Sequence, residues 1–318
     1  MTDMLGTIAV AFALVALGYG LVAGRLLKPG TGDGLNDFVV AVAIPVLLFR
    51  TLSTADLDGA DPVLLWVVYF SAIAISWTTA TLLIRRAFVR DARAGVVAGV
   101  SGSFSNLVLL GIPLILSLFG QAGFEVLSLL VAIHLPIMMG LSVILFEVAQ
   151  RKDGVGYGAT NPMAVLVRFL RSLVSNPLVV GILLGLLWRA TGLGTPRVAA
   201  EVIDRIAGIA GPLALIALGM SLRKFGVSRN LPQGAAMASV KLALMPALVT
   251  GGAWLVGLQP DVARVAIVAA AMPTGVNPYL IATRFGTGEA LASNTMVVAT
   301  AFSPLTILFW LWVGQTLF

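Results

Sequence analysis

The chain has 318 residues, 59% of them hydrophobic and only 11% charged, with a formal net charge of +6 and a mean hydropathy of +1.01. Soluble domains carry about 25% charged residues, so this composition excludes a water-soluble enzyme or binding module and places the chain in a lipid bilayer. Cysteine is absent and His134 is the single histidine, so no thiolate or histidine cluster is available for a metal. The basic residues are scattered through short segments between apolar runs, which is a pattern of membrane topology rather than of nucleic-acid binding.

A helix needs about 20 apolar residues to cross a bilayer. The apolar runs predict ten spans, at about 4–27, 35–52, 62–86, 92–119, 123–148, 165–190, 201–222, 231–257, 261–286 and 289–316. The first run begins at Met4 after only Thr2 and Asp3, without the basic leader of a signal peptide, and reads as a true span. In the sixth, Arg168 and Arg171 precede Asn176-Pro177. Its first turns are expected along the interface, with the crossing starting near Pro177. The segments joining spans 1–2, 3–4, 5–6, 7–8 and 9–10, with the span ends beside them, hold 14 of the 20 basic residues. Positive charge marks the inner side, so the expectation is a multi-pass protein of the cell (inner) membrane with both termini outside.

Asp37 is followed eight residues later by Pro45, and Asp204 eight residues later by Pro212, an offset of 167 residues. This divides the chain into a first five-helix repeat (1–150), a cytoplasmic loop (151–163) and a second repeat (164–318). An odd number of spans per repeat forces the second copy to be inverted. The fold class expected is therefore an all-α integral membrane protein of two inverted five-helix repeats, with helices 4 and 9 in corresponding positions.

Those two helices are both interrupted. "SGSFSNLVLLGIPLILSLFG" (101–120) carries Gly111 and Pro113 in mid-span, and "MPTGVNPYLIATRFG" (272–286) carries Pro273, Gly275, Asn277 and Pro278 within six residues. At 1.5 Å per residue the two breaks lie ~21 and ~18 Å into their helices, near the middle of the bilayer. Broken helices in matching positions of two halves point to a substrate site. Pro113 and Pro278 suit the first turn of a restarting helix, and Asn277 reads as an N-cap. Two helix N-termini converging at the midplane would attract an anion, most simply a carboxylate. Asn106, Asn277, Ser103, Ser105 and Thr274 could add neutral donors beside Gly275.

Outside the breaks, His134 precedes Pro136 and reads two ways, as a proton or substrate site or as a donor to a carbonyl freed by the proline. Lys241 lies some ten residues into the eighth span, too deep to snorkel, and reads as charge compensation for an anion or as a pair within the bundle. Gly95–Gly99 and Gly181–Gly185 have the spacing of small-residue helix packing. Asp37, Glu125, Glu147 and Asp204 all fall near helix ends, so proton coupling through a mid-membrane acid is not indicated.

The stretches "NLVLLGIPL" and "AAAMPTGVNPYLIATRFG" resemble the two crossover motifs of the auxin efflux carrier family, and "ALASNTMVVATAFSPLTILF", directly after the second motif, is also similar to that family. The resemblance covers the whole chain. It implies a homodimer whose helices 1, 2, 6 and 7 form a scaffold, while helices 3–5 and 8–10 move and hold the substrate where helices 4 and 9 cross. The short loop at 151–163 is closer to bacterial carriers of malonate or malate than to plant carriers with long loops. The function expected is secondary transport of a small organic anion, without cofactor and by an alternating-access, elevator-type movement. The alternative is sodium-coupled symport of a bulkier anion, as in bile-acid symporters of the same five-plus-five fold. No paired membrane aspartates, phosphate-cradling loop or nucleophile–base pair points to an enzyme.

Topology is directly measurable on a chain without cysteine. In intact cells, Asp58→Cys is expected to react with a membrane-impermeant maleimide and Arg90→Cys is not. Labelling of both from one side would rule out the inverted arrangement.

Overall fold

The computed structural model describes residues 2–55, 61–155, 167, 171, 175–225 and 231–318. Every regular element among them is helical. In chain order these are α1 (Thr2–Ala23), α2 (Pro29–Phe38), α3 (Ile44–Thr54), α4 (Pro62–Arg86), α5 (Ala92–Ser103) and α6 (Ile112–Lys152). Next come α7 (Pro177–Thr191), α8 (Arg197–Leu222), α9 (Leu231–Ser239), α10 (Met245–Val256), α11 (Pro260–Ala271), α12 (Asn277–Phe285) and α13 (Glu289–Leu317). The starts are written in local chemistry. Asp61 accepts the amides of Val63 and Leu64 ahead of α4, Asp91 accepts that of Ala94 in α5, and Asn176 accepts that of Leu178 in α7. In two of the three a proline, which has no amide hydrogen to satisfy, takes the first helical position.

Among the described residues, seven segments are long and apolar enough to cross a membrane: 3–23, 30–54, 62–86, 92–152, 197–222, 231–256 and 289–317. The count differs from ten for identifiable reasons. The spans expected at 92–119 and 123–148 form one stretch of 61 residues, bent at Gly120, whose φ of 65° and ψ of −157° are open to glycine alone. The span expected at 261–286 is divided into α11 and α12, each short by itself. Of the span expected at 165–190, α7 is described, while 165–166, 168–170 and 172–174 lie outside the described residues, as do 156–163 of the expected loop. Helix starts recur along the chain. Those at 29, 62, 92 and 121 (the last just after the Gly120 bend) have counterparts at 197, 231, 260 and 289, each 168 or 169 residues later.

Three helices are prefaced by a π-turn, at Val39–Ala43, Leu107–Gly111 and Val240–Leu244, and each turn ends two residues before a proline: Pro45, Pro113 and Pro246. A proline inside a helix cannot donate to the carbonyl four residues back and its ring crowds that carbonyl. Widening one turn makes room for the ring and lets the chain continue.

The helices sort into two compact units. Unit 1 comprises residues 1–60, 107–133 and 171–224, and unit 2 comprises 61–106, 134–170 and 225–318, so each draws on both halves of the chain. In unit 1, α1 packs on α8 and α3 on α7. Both contacts are backbone to backbone: a Cβ on Gly219 would lie 1.9 Å from the Val15 carbonyl oxygen, and one on Gly181 2.5 Å from that of Pro45. Such close approach is how helices gain packing where lipid supplies no hydrophobic drive. In unit 2, α4 packs on α5, with Gly99 fitted against the Trp77 ring, and α13 lies against α9 and α11. The N-terminal end of α5 is tied down by Asp153, which accepts the Ala92 and Arg93 amides at 2.9 and 3.0 Å and pairs with the Arg93 guanidinium at 3.1 Å. Desolvation pushes the Asp153 carboxyl up, but these donors outweigh it and hold the group below its ordinary value.

Candidate functional site

The site is built in unit 2 from two helices that stop early. Helices α5 and α11 are each 12 residues long, or ~18 Å, about half of a membrane crossing. Both end in an extended residue, Phe104 (φ −75°, ψ 122°) and Met272 (φ −59°, ψ 141°). The non-helical stretches beyond them, 104–106 and 272–276, meet. The Asn106 amide donates to the Pro273 carbonyl at 2.9 Å, and the Thr274 hydroxyl donates to the Ser101 carbonyl in the last turn of α5 at 2.6 Å. Gly275 sits against Asn106: a Cβ there would lie 3.5 Å from both Cβ and Cγ of the asparagine. Ser101, Ser103 and Thr274 are fully buried, and Ser105 and Asn106 nearly so.

Burial leaves the carbonyls at the end of α11 without water, and two side chains reach them. Lys241 Nζ, itself fully buried, donates to the Ala270 carbonyl at 2.5 Å. The Tyr69 hydroxyl lies 3.4 Å from the Ala269 carbonyl and 2.9 Å from Ser105 Oγ. Lys241 stands in the π-turn ahead of Pro246. The Leu242 carbonyl, to which Pro246 has no hydrogen to give, accepts Trp310 Nε1 at 2.8 Å instead.

His134 faces the same crossing. Its Nε2 accepts the Ser105 amide at 3.4 Å, which assigns the ring hydrogen to Nδ1, and Nδ1 is buried with no partner among the described residues. The rings of Phe104, Tyr69 and Phe70 surround it at centroid distances of 4.9, 6.0 and 6.4 Å. Unit 1 holds a separate open cavity of about 690 Å³, lined mainly by apolar groups of α1, α3 and α8 and carrying Arg50. Arg50 pairs there with Asp204 at 3.4 Å.

Two interrupted helices meeting in a buried polar crossing, within an apolar all-helical chain, have the form of a carrier site. The model of one family, described as membrane transport protein, matches residues 3–311. The chain belongs to the membrane transport protein family. A relative from Rhizobium meliloti named "Putative malonate transporter" is 27% identical over 96% of this chain and 94% of its own length. Auxin efflux carrier component 8 of Arabidopsis thaliana is 23% identical over 93% of this chain and 94% of its own. An uncharacterized transporter of Methanothermobacter thermautotrophicus is 26% identical over 96% of each chain. These are transporters, not enzymes, and the resemblance to auxin efflux carriers read from the crossover motifs stands.

Within this membrane transport protein, the expected site residues are placed unevenly. Ser103, Ser105, Asn106, Thr274, Gly275, Asn277, His134 and Lys241 all belong to unit 2, whereas Gly111 and Pro113 belong to unit 1. The break in the fourth span is not at Gly111 and Pro113. It lies at 104–106, because the π-turn 107–111 absorbs Pro113, which then takes an early position in α6. In the ninth span Pro273 does fall in the break and Pro278 in the first turn of α12. Asn277 is not the N-cap: Val276 is, without a side-chain bond, and Asn277 is the first residue of α12, half-buried. Several expected donors are already engaged. Ser103 Oγ donates to Gly99 at 2.8 Å, Thr274 to Ser101, and Ser105 Oγ faces Tyr69 and Met245. Of these, the Thr274 hydroxyl ties the two stretches together, Ser105 joins the crossing to Tyr69, and Ser103 bonds within α5. Sequence reasoning missed Tyr69 and Trp310, whose polar tips act on carbonyls remote in sequence; an aromatic with a hydrogen-bonding tip inside a span was the available signal.

Thr274→Val removes the donor to the Ser101 carbonyl and leaves that oxygen buried, which costs about 1–3 kcal/mol. A lowered unfolding temperature of the purified protein is expected, while Thr316→Val, whose hydroxyl serves an exposed turn of α13, should change little. Equal effects of the two would mean that the Thr274 bond does not hold the crossing.

Proposed function

We propose that the protein is a secondary carrier that moves a small organic anion, a carboxylate or dicarboxylate, across the cell membrane by alternating access of the elevator type. The observation that carries this reading is the crossing itself: Asn106 hydrogen-bonded to Pro273, Gly275 packed on Asn106, the N-terminus of α12 beginning at Asn277, and the buried ammonium of Lys241 close by. The helix N-terminus and the ammonium favour negative charge. The start of α12 is the positive end of a helix, although Pro278 has no amide hydrogen and the Tyr279 and Leu280 amides bond the Val276 carbonyl; the side-chain amides of Asn106 and Asn277 are neutral donors, and Gly275 admits a ligand close to the backbone. The name of the Rhizobium meliloti relative, "Putative malonate transporter", supports a dicarboxylate.

In this reading ten spans form two inverted five-helix repeats, with the fourth and ninth broken, which the recurrence of helix starts at 168 or 169 residues supports. Both termini face outside, and unit 2 carries the substrate. Assembly as a homodimer through unit 1 follows the likeness to auxin efflux carriers.

The test is binding of malonate and of its neutral diamide to the purified protein. A hydrogen bond to a charged group is worth about 1.5–3 kcal/mol, so Asn106→Ala and Asn277→Ala should each weaken malonate binding about ten-fold or more. The diamide should bind the wild type far more weakly than the acid does, because helix ends reward charge. Equal affinity for acid and diamide, with both alanine variants binding as wild type, would place the substrate elsewhere.

A further inference from the structure

The two half-helix ends at the crossing are finished differently. Ser101 in the last turn of α5 and Ala270 in the last turn of α11 stand 169 residues apart, the spacing at which the helix starts recur. Their carbonyls are the equivalent acceptors of the two ends. The Ser101 carbonyl receives a neutral hydroxyl, that of Thr274, whereas the Ala270 carbonyl receives the amine of Lys241. Lys241 is fully buried, and none of the ion pairs among the described residues includes it. Its protein-side counter-charge is then the negative end of α11, about half an elementary charge, with the Ala270 oxygen as the nearest atom. In cation-coupled carriers, the C-terminal ends and unwound carbonyls of broken helices are where the coupling metal ion binds.

We infer that the Lys241 ammonium is a built-in cation, standing at the end of α11 where a cation-coupled carrier would bind sodium, so that this protein carries its anion without sodium. The inference rests on the proposed anion site at the same crossing. A lysine tethered at Val240–Leu244 supplies the positive charge that a bound carboxylate needs for neutrality. A metal ion added at the same carbonyls would lie within a few ångströms of the ammonium, where like charges repel strongly at low dielectric. The π-turn serves this placement: it sets Lys241 ahead of Pro246, and Trp310 satisfies the Leu242 carbonyl that the proline leaves, so the lysine is free to serve α11.

The experiment compares wild type with Lys241→Ala, which removes the amine and leaves space, and with Lys241→Gln, which keeps a donor to Ala270 but not the charge. The purified proteins are melted in choline chloride, sodium chloride and methylammonium chloride at equal ionic strength, and malonate uptake into proteoliposomes is measured in the same three salts. Wild type is expected to melt and transport alike in all three. Lys241→Ala should melt lower in choline and recover in sodium or methylammonium. Its uptake should fall about ten-fold or more in choline, as befits loss of a charged hydrogen bond, and be restored several-fold by either small cation. Lys241→Gln should fold and show the same uptake defect, so the test survives if the alanine variant does not fold. A wild type that requires sodium overturns the inference. So does a glutamine variant that transports like wild type in choline, or an alanine variant whose losses in both arms respond to no cation. The melting arm uses no substrate, so failure of malonate as cargo counts against the proposed function alone.

Discussion

At the middle of a bilayer an unpaired backbone amide or carbonyl has no water to turn to, and each one left bare costs several kcal/mol. Everything distinctive in unit 2 answers to that constraint. Two helices stop after 12 residues, and each then supplies what the other lacks. The stretch after α5 gives the Asn106 amide to the Pro273 carbonyl, and the stretch after α11 gives the Thr274 hydroxyl to the Ser101 carbonyl. Lys241 and Tyr69 reach the remaining acceptors at the end of α11. Neither interruption is tolerable alone in hydrocarbon. Together they form a buried polar crossing with a helix N-terminus and an ammonium at hand.

Proline plays two separate parts in this chain. Pro273 and Pro278 frame a true interruption, with no helix between Met272 and Val276. Pro45, Pro113 and Pro246 are instead absorbed by widened turns that leave the helix running. Where Trp310 takes the Leu242 oxygen, the strain is settled locally and the turn becomes a mount for Lys241. Glycine does complementary work in unit 1, where Gly18, Gly219, Gly181 and Gly185 bring helix backbones into contact.

Much of this was legible in the residues. Asp61-Pro62, Asp91 and Asn176-Pro177 announce helix starts because caps and first-turn prolines act within three residues of one another. Gly181 and Gly185 announce close packing by their spacing, and the structure sets them against Pro45 and Phe49. Of the expected spans, the ninth declares its break through two prolines and a glycine. The fourth does not: Gly111 and Pro113 draw the eye, yet the chain leaves the helix at Phe104-Ser105-Asn106, where no residue is a strong breaker. What ends α5 is the partner strand of chain at 272–276, and a tertiary partner leaves no local mark. The same holds for the cap of α12, which fell to Val276 rather than Asn277, and for Lys241, whose depth was readable but whose acceptor 29 residues away was not.

The anion site proposed above lies at the crossing in unit 2, which also holds the buried lysine. The cavity beside Arg50 in unit 1 is the competing place for a carboxylate, since it too offers a cation, although one already paired with Asp204. A cryo-electron microscopy structure of the protein saturated with malonate distinguishes the two most directly. Density for the anion against Asn106 and Gly275, at the start of α12, is the expected result; density beside Arg50 with the crossing unchanged would contradict it.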